Sequence, residues 1–273
     1  MGEKGYFLAD WRKLVEDEAK LRGYSDKTVK AYLFYIDRFV CSGKDPREFL
    51  VDLIDKGYSV ETVRITGFAV KFYLKVIEHK TDGVEDVIKD IPNAKKEKRL
   101  PVILSKQEIE RMIVSTNNLK HRMIIMVAYS AGLRAGEVID LRWPDIDFRR
   151  NIIHIKKAKG KKDRVVMLSP KVKKGLKALG LEDEGYVFLT DRGNRYSLRS
   201  VELIVKKAKE KAGIKNRVTP HTLRHSFATH LLERGTDLGY IKELLGHANI
   251  STTLIYTKVS NRNLSRIKSP IDE

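Results

Sequence analysis

The side chains best suited to chemistry lie in the second half of the chain. Arg134 stands in SAGLRAGEV, two residues after Gly132. That glycine permits a left-handed exit from the preceding apolar helix, so the arginine is presented from a rigid base. Arg224 lies in HTLRHSFATHLL, behind the strong helix start Thr219-Pro220. Leu223, Phe227 and Leu231 form the buried stripe of that helix, which leaves His221 and Arg224 on an adjoining edge. His247 follows the helix stop Leu245-Gly246, and Tyr256 comes nine residues later on a short helix capped by Ser251. These are the types that phosphodiester cleavage requires. A nucleophile must attack, the phosphorane charge must be neutralised, a proton must reach the leaving oxygen, and the groups must be aligned. Two arginines can form the charge clamp, since each guanidinium bonds phosphate oxygens in a planar fork. A tyrosine can attack and conserve the bond energy as a phosphotyrosine. Histidines can donate to the phosphate or pass a proton, and a lysine can protonate the leaving oxygen. Residues of these types are also common singly, as partly buried histidines or ordinary helix aromatics, so type alone leaves the bland reading open.

Other chemistries find no matching pattern. The chain contains neither GxxxxGKS nor GxxxxGKT, the phosphate-cradling loop that ATP use would require. His221 and His225 are four apart on one helix and could share a zinc ion, but the glutamate of HExxH is missing and Arg224 stands between them. Cys41 is the only cysteine, which excludes an intramolecular disulfide and a cysteine metal cluster and fits a reducing compartment. No apolar run approaches the roughly 20 residues needed to span a bilayer. Met1 to Arg12 carries acidic residues and no apolar signal core. The expectation is a cytoplasmic protein with no metal, no cofactor and no membrane partner.

Charge points to the partner. The net charge is +18, and it is unevenly placed. Met1 to Lys98 carries 19 Lys plus Arg against 18 Asp plus Glu, whereas Arg99 to Glu273 carries 35 against 18. So much uncompensated positive charge in one compact segment repels itself unless a polyanion neutralises it. Nucleic acid is the natural polyanion, because each neutralised phosphate releases condensed counterions.

The elements that must position these residues can be read from pattern. The stretch PNAKKEKRLP, bounded by Pro92 and Pro101, has almost nothing to bury and reads as a linker. It divides a helical domain, residues 1–91, from a second domain, residues 102–273, with the linker at 92–101. In the first, Tyr6 to Arg22 forms a helix ended near Gly23. Ser25 caps a second, in which Val29, Tyr32, Leu33, Ile36 and Val40 recur at helical spacing. Asp45-Pro46 opens a third, and Ser59 caps a fourth that runs to about Glu78. Arg64, Lys71 and Lys75 share one face of that fourth helix, either as a solvated face or as a ridge contacting DNA backbone. In the second domain, Ser105 and Glu108 make a capping box. The helix around Met123 to Ala131 is apolar on every side and is expected to be buried. Asn151 to Lys156 and Arg164 to Leu168 read as a hairpin with a basic tip from Lys157 to Lys162. Helices follow near Ser197 to Ala212, His221 to Arg234, Asp237 to Leu245 and Thr252 to Tyr256. The expected fold class is mainly α with a small antiparallel β-sheet: a helical N-terminal DNA-clamp domain and an α+β catalytic domain.

Order and local wording carry a family resemblance. GLRAGEV, HTLRH, LGH and TLIYT, in that order behind a helical domain and a linker, resemble the motifs of the tyrosine recombinase (phage integrase) family, and within it the Xer-like recombinases. The resemblance implies that Tyr256 is the nucleophile, Arg134 and Arg224 the phosphate clamp, and His221 and His247 the assisting donors. Glu137 looks like the family's acidic residue that orients the central histidine, and His225 like a support for the site. The family's catalytic lysine precedes a glycine on a hairpin turn, which Lys159-Gly160 matches, with Lys157, Lys161 and Lys162 close by. It further implies a double-stranded DNA recombination site as partner, and a homotetramer on two such sites. Asn263 to Glu273 would dock on a neighbouring protomer. A paralogous recombinase or DNA translocase is a possible helper, and chromosome- or plasmid-dimer resolution at chromosome partition the implied role. Two other activities fit the same residues: DNA relaxation like that of a type IB topoisomerase, and catalytically silent, sequence-specific DNA binding.

Overall fold

A computed structural model of the chain describes residues 10–77, 84–92, 100–156, 163–181, 184–247 and 249–258. Outside the described residues lie the first turn expected from Tyr6, most of the linker, the hairpin tip with Lys159, and the segment from Asn263 to Glu273. The chain divides into two compact units, Met1–Arg99 and Leu100–Glu273. The class is mainly α with one small antiparallel sheet.

The first unit contains α1 (Trp11–Leu21), α2 (Asp26–Ser42), α3 (Pro46–Asp55), α4 (Val60–Ile77) and α5 (Val84–Asp90). Their starts are local. The Ser25 hydroxyl accepts from the Thr28 amide at 3.2 Å, Asp45 from Arg47 at 3.0 Å, and Ser59 from Thr62 at 3.2 Å. The apolar α4 is the centre, in contact with α1, α2, α3 and α5. Its Tyr73 is fully buried between Trp11, at 5.9 Å between ring centroids, and Phe39, at 6.1 Å. Arg64, Lys71 and Lys75 share the outer face of α4, and Phe68 sits among them at 40% exposure. The Arg64 guanidinium is forked onto Glu61 at 3.0 and 2.6 Å and lies over the Phe68 ring. The short acidic α5 carries too few apolar positions to declare itself as a helix.

The second unit runs through α6 (Lys106–Val114), α7 (Leu119–Ser130), α8 (Ala135–Ile139), a 3-10 turn (Trp143–Asp145), β1 (Ile146–Asp147), β2 (Ile152–Ile155), β3 (Arg164–Met167), α9 (Pro170–Ala178), α10 (Leu198–Lys211), α11 (Pro220–Glu233) and α12 (Leu238–Leu245). The Ser105–Glu108 capping box opens α6. Asn118 starts α7, accepting from the His121 amide at 3.0 Å, and Met123, Ile124, Ile125, Val127 and Ala128 are buried. The hairpin pairs Ile152 with Met167 and Ile155 with Arg164, and β1 adds a third strand through Ile146 and Ile153. α11 is buried along nine of its residues, and its Ser226 hydroxyl receives the Leu104 amide at 2.9 Å, tying the start of the unit to its centre. One expected element differs. Tyr256 stands in a 3-10 turn, Leu254–Lys258, and the cap before it is not Ser251. Asn249 caps the preceding turn, Ile250–Thr252, by accepting from the Ser251 amide at 2.9 Å.

Candidate active site

Helix α11 supplies the centre of the site. Thr219 caps it, Pro220 occupies its first turn, and Arg224 projects from its second. On the edge adjoining the Leu223–Phe227–Leu231 stripe, Arg224 is itself buried, 3% exposed. A guanidinium so buried needs acceptors, and two helix ends provide them. One terminal nitrogen donates to the Gly132 carbonyl at 2.5 Å and the other to the Leu245 carbonyl. Carbonyls at helix C-termini lack intrahelical partners, so they are free to accept. Gly132 closes α7 at φ +61°, where a Cβ would lie 2.4 Å from the Phe227 ring, so glycine alone fits there.

Arg134 caps α8. Its amide donates to Glu137 Oε2 at 2.8 Å, its Nη1 to Glu137 Oε1 at 2.7 Å, and its Nη2 to the Gly246 carbonyl at 3.4 Å. The same carboxylate takes a fork from Arg164, at 2.8 and 2.7 Å, while Arg224 Nη1 stands 3.9 Å away. Glu137 therefore holds arginines. Among the described residues no hydrogen bond joins it to His221. Burial pushes its carboxyl up, but the bonds from Arg164 and Arg134 outweigh that and leave it at about 2. Burial and the neighbouring Arg134 push Arg224 down to about 9, with Glu137 opposing, which still leaves it charged near neutrality.

Tyr256 is 1% exposed and packs with Phe227, Ala228, Ile241 and Leu245. Its hydroxyl lies 3.1 Å from His225 Nδ1. The His247 ring stacks on the phenol, 6.4 Å between centroids, and is oriented by Thr253, whose hydroxyl is 3.0 Å from His247 Nδ1. The His221 ring is 6.4 Å from that of His225, at the exposed start of α11. Burial raises the Tyr256 phenol, with Arg224 and Arg134 pulling the other way. Burial, then the flanking cations and rings, lowers His225 and His247 to about 4 and lowers His221 as well. Half-buried beside guanidiniums, His225 and His247 are neutral at pH 7 and can accept as well as donate.

The structure thus brings Arg134, Glu137, His221, Arg224, His225, His247 and Tyr256 together, with charge suited to an oxyanion beside a phenol. Lys159 lies outside the described residues. Arg64, Lys71 and Lys75 belong to the first unit. Among the described residues, no group of His, Cys, Asp and Glu could hold a metal ion, and no helix is long and apolar enough to cross a membrane. Sequence reasoning missed Arg164 and Thr253. Arg164 opens a strand beside a run of surface-type lysines, and nothing in that spacing marks it as buried.

Residues 103–263 match the phage integrase family, and the chain belongs to that family. Within it, the chain is a site-specific tyrosine recombinase of the Xer type: it is 37% identical over 257 residues to the tyrosine recombinase XerA of Pyrococcus horikoshii, spanning 90% of this chain and 87% of that protein. The XerA of Pyrococcus furiosus is 36% identical over 90% of this chain and 88% of its own length. Among solved structures, XerH bound to a palindromic difH substrate in a post-cleavage complex aligns with a TM-score of 0.73 at 23% identity, over 97% of this chain and 86% of that one. A lambda integrase fragment dimer on a core site aligns at 0.75 and 18% identity, over 90% of this chain and 96% of that one, which is likeness of fold.

Proposed function

We propose that the chain cuts and rejoins DNA at a defined site through a covalent bond between Tyr256 and the 3′ phosphate, releasing a 5′-hydroxyl. The observation that carries this is the Tyr256 hydroxyl 3.1 Å from His225, in one unit with Arg134, Arg224 and His247. A neutral His225 with an unprotonated Nδ1 can accept the phenolic proton as the oxygen attacks. Arg224 and Arg134 stabilise the phosphorane charge, and His247 and His221 donate to its oxygens. Because the guanidiniums supply the positive charge that metal ions supply in other phosphoryl transfers, the reaction needs neither metal nor ATP. A hairpin lysine, Lys159 by resemblance, protonates the leaving oxygen. Since Tyr256 is fully buried, the turn Leu254–Lys258 shifts to admit the phosphate. A 5′-hydroxyl from a second duplex then reverses the reaction and exchanges strands.

Duplex DNA is the partner that the charge of Arg99 to Glu273 calls for, and similar folds are recombinases held on recombination sites. Arg64, Lys71 and Lys75 contact backbone from the first unit. Four protomers act on two sites in the cytoplasm, with Asn263 to Glu273 docking between neighbours. As in the Xer-type proteins that the chain resembles, the role is resolution of chromosome or plasmid dimers, with a paralogue or translocase as possible helper.

Covalent trapping tests the chemistry. Nicked duplexes from the genome that encodes the chain are incubated with wild type and Tyr256→Phe in EDTA without ATP. An adduct on the 3′ side of the break, formed by wild type alone, is expected. Tight binding to a defined sequence with no adduct would establish a catalytically silent DNA-binding protein instead. Relaxation of supercoiled plasmid lacking any defined site would mark topoisomerase-like activity.

A further inference from the structure

We infer that Arg164 is a positioning residue for the reaction, one that shares the Glu137 carboxylate with Arg134 and so keeps Arg224 from being drawn onto it. The inference rests on the function proposed above. Glu137 Oε1 receives Arg134 Nη1 at 2.7 Å and Arg164 Nη1 at 2.8 Å. Its Oε2 receives the Arg134 amide at 2.8 Å and Arg164 Nη2 at 2.7 Å. Together these fill the roughly four acceptor directions of a carboxylate. Arg224, though only 3.9 Å from Oε2, makes its short bonds to the Gly132 and Leu245 carbonyls instead.

The third arm of Arg164 has a separate target. Its Nε donates to the Leu244 carbonyl at 2.8 Å, in the last turn of α12, just before Gly246 and His247. All three guanidinium nitrogens of Arg164 are therefore spent on protein acceptors, and the side chain is 7% exposed. Each nitrogen makes one such bond, and at 7% exposure little of the side chain is open to a ligand. One residue of β3 instead fixes both the carboxylate that orients Arg134 and the helix end that delivers His247. It does so from the first position of β3, adjoining the segment that carries Lys159.

Charge explains why such a residue is needed. Three guanidiniums surround one carboxylate, and a buried carboxylate left with open lone pairs attracts whichever cation is near. Remove Arg164, and Arg224 is the cation 3.9 Å from Oε2. Its fork, held on the Gly132 and Leu245 carbonyls, would turn toward Glu137. With Arg164 in place, two of the four bonds to the carboxylate come from a group that takes no part in binding, Arg224 keeps its carbonyl partners, and the cluster retains two net positive charges for the phosphorane.

A purely structural cross-brace would give a different result from a positioning role, and a variant set separates the two. Full-length Arg164→Met, Arg164→Lys, Glu137→Gln and Arg164→Met/Glu137→Gln are compared with wild type on the nicked duplex that yields the Tyr256 adduct. The measured quantities are the single-turnover adduct rate and the DNA dissociation constant, below the melting transition of every variant. Groups that orient contact residues typically cost about 10- to 100-fold when lost. Arg164→Met is expected to slow adduct formation at least tenfold within that range, with DNA affinity changed less than about twofold. Arg164→Lys, which keeps a buried charge but cannot fork, should fall between wild type and Arg164→Met. The double variant should react at least as fast as Arg164→Met, because the competing carboxylate is gone. Unchanged rates in both Arg164 variants would overturn the inference. So would losses that track DNA affinity or the folded fraction, or a double variant as slow as the product of its singles. A wild type that forms no adduct would instead overturn the proposed function, and this inference with it.

Discussion

Glu137→Gln replaces a buried carboxylate by a neutral group of nearly the same shape, leaving Arg134, Arg164 and Arg224 around it. The native carboxyl lies at about 2 against an ordinary 4.5. At about 1.4 kcal/mol per tenfold change in proton affinity, that difference is worth about 3 kcal/mol of stability when the group is ionised in both states. The side chain is 10% exposed, so solvent screening removes little of it. The sign follows from a folded value below the unfolded one. The contribution is complete above the unfolded value of 4.5 and is lost as pH falls toward 2. The variant should therefore be about 3 kcal/mol less stable than wild type near pH 7, with the gap shrinking to about 1 kcal/mol near pH 3. Each unit has one tryptophan, Trp11 in the first and Trp143 in the second. In a Trp11→Phe background, urea unfolding followed by fluorescence reports on the second unit alone. A gap below about 1 kcal/mol at neutral pH, or one that does not change with pH, would refute the reasoning that this carboxylate is held by its arginines.

Two further outcomes follow from the same geometry. Gly132→Ala combines a left-handed backbone with a Cβ 2.4 Å from Phe227, so unfolding of the second unit should weaken by about 2 to 4 kcal/mol; a loss below about 1 kcal/mol would mean that the loop relaxes freely. His225 and His247 at about 4 are neutral throughout the physiological range, so the single-turnover adduct rate should show no limb from either ring between about pH 6 and about pH 8; a limb near the ordinary 6.5 that Gln in place of either His225 or His247 removes would show that this ring is solvated in the working complex.

What the sequence determined about this protein is mostly what short-range chemistry writes. The starts of α2, α3, α6 and α11 were legible because Ser25, Asp45, Ser105 and Thr219 bond amides two or three residues away. The burial of α7 was legible from its unbroken apolar surface, and the hairpin from β2 and β3 flanking a basic tip. The membership of the family was legible because four short motifs keep their order. Short or weakly apolar elements, α5, α8, α9 and β1, were not, since a handful of residues sets no period. Ser251 does not cap the turn that holds Tyr256: Asn249 and Ser251 are both competent caps, and the fold uses Asn249, for the turn before it. The contacts inside the site could be decided by tertiary structure alone. Arg224 meets Gly132 across 92 positions, His225 meets Tyr256 across 31, and Arg164 meets Glu137 across 27. A pattern of types can nominate an arginine, but whether it is exposed, buried on helix-end carbonyls or spent on a carboxylate depends on which distant groups packing brings within about 3 Å.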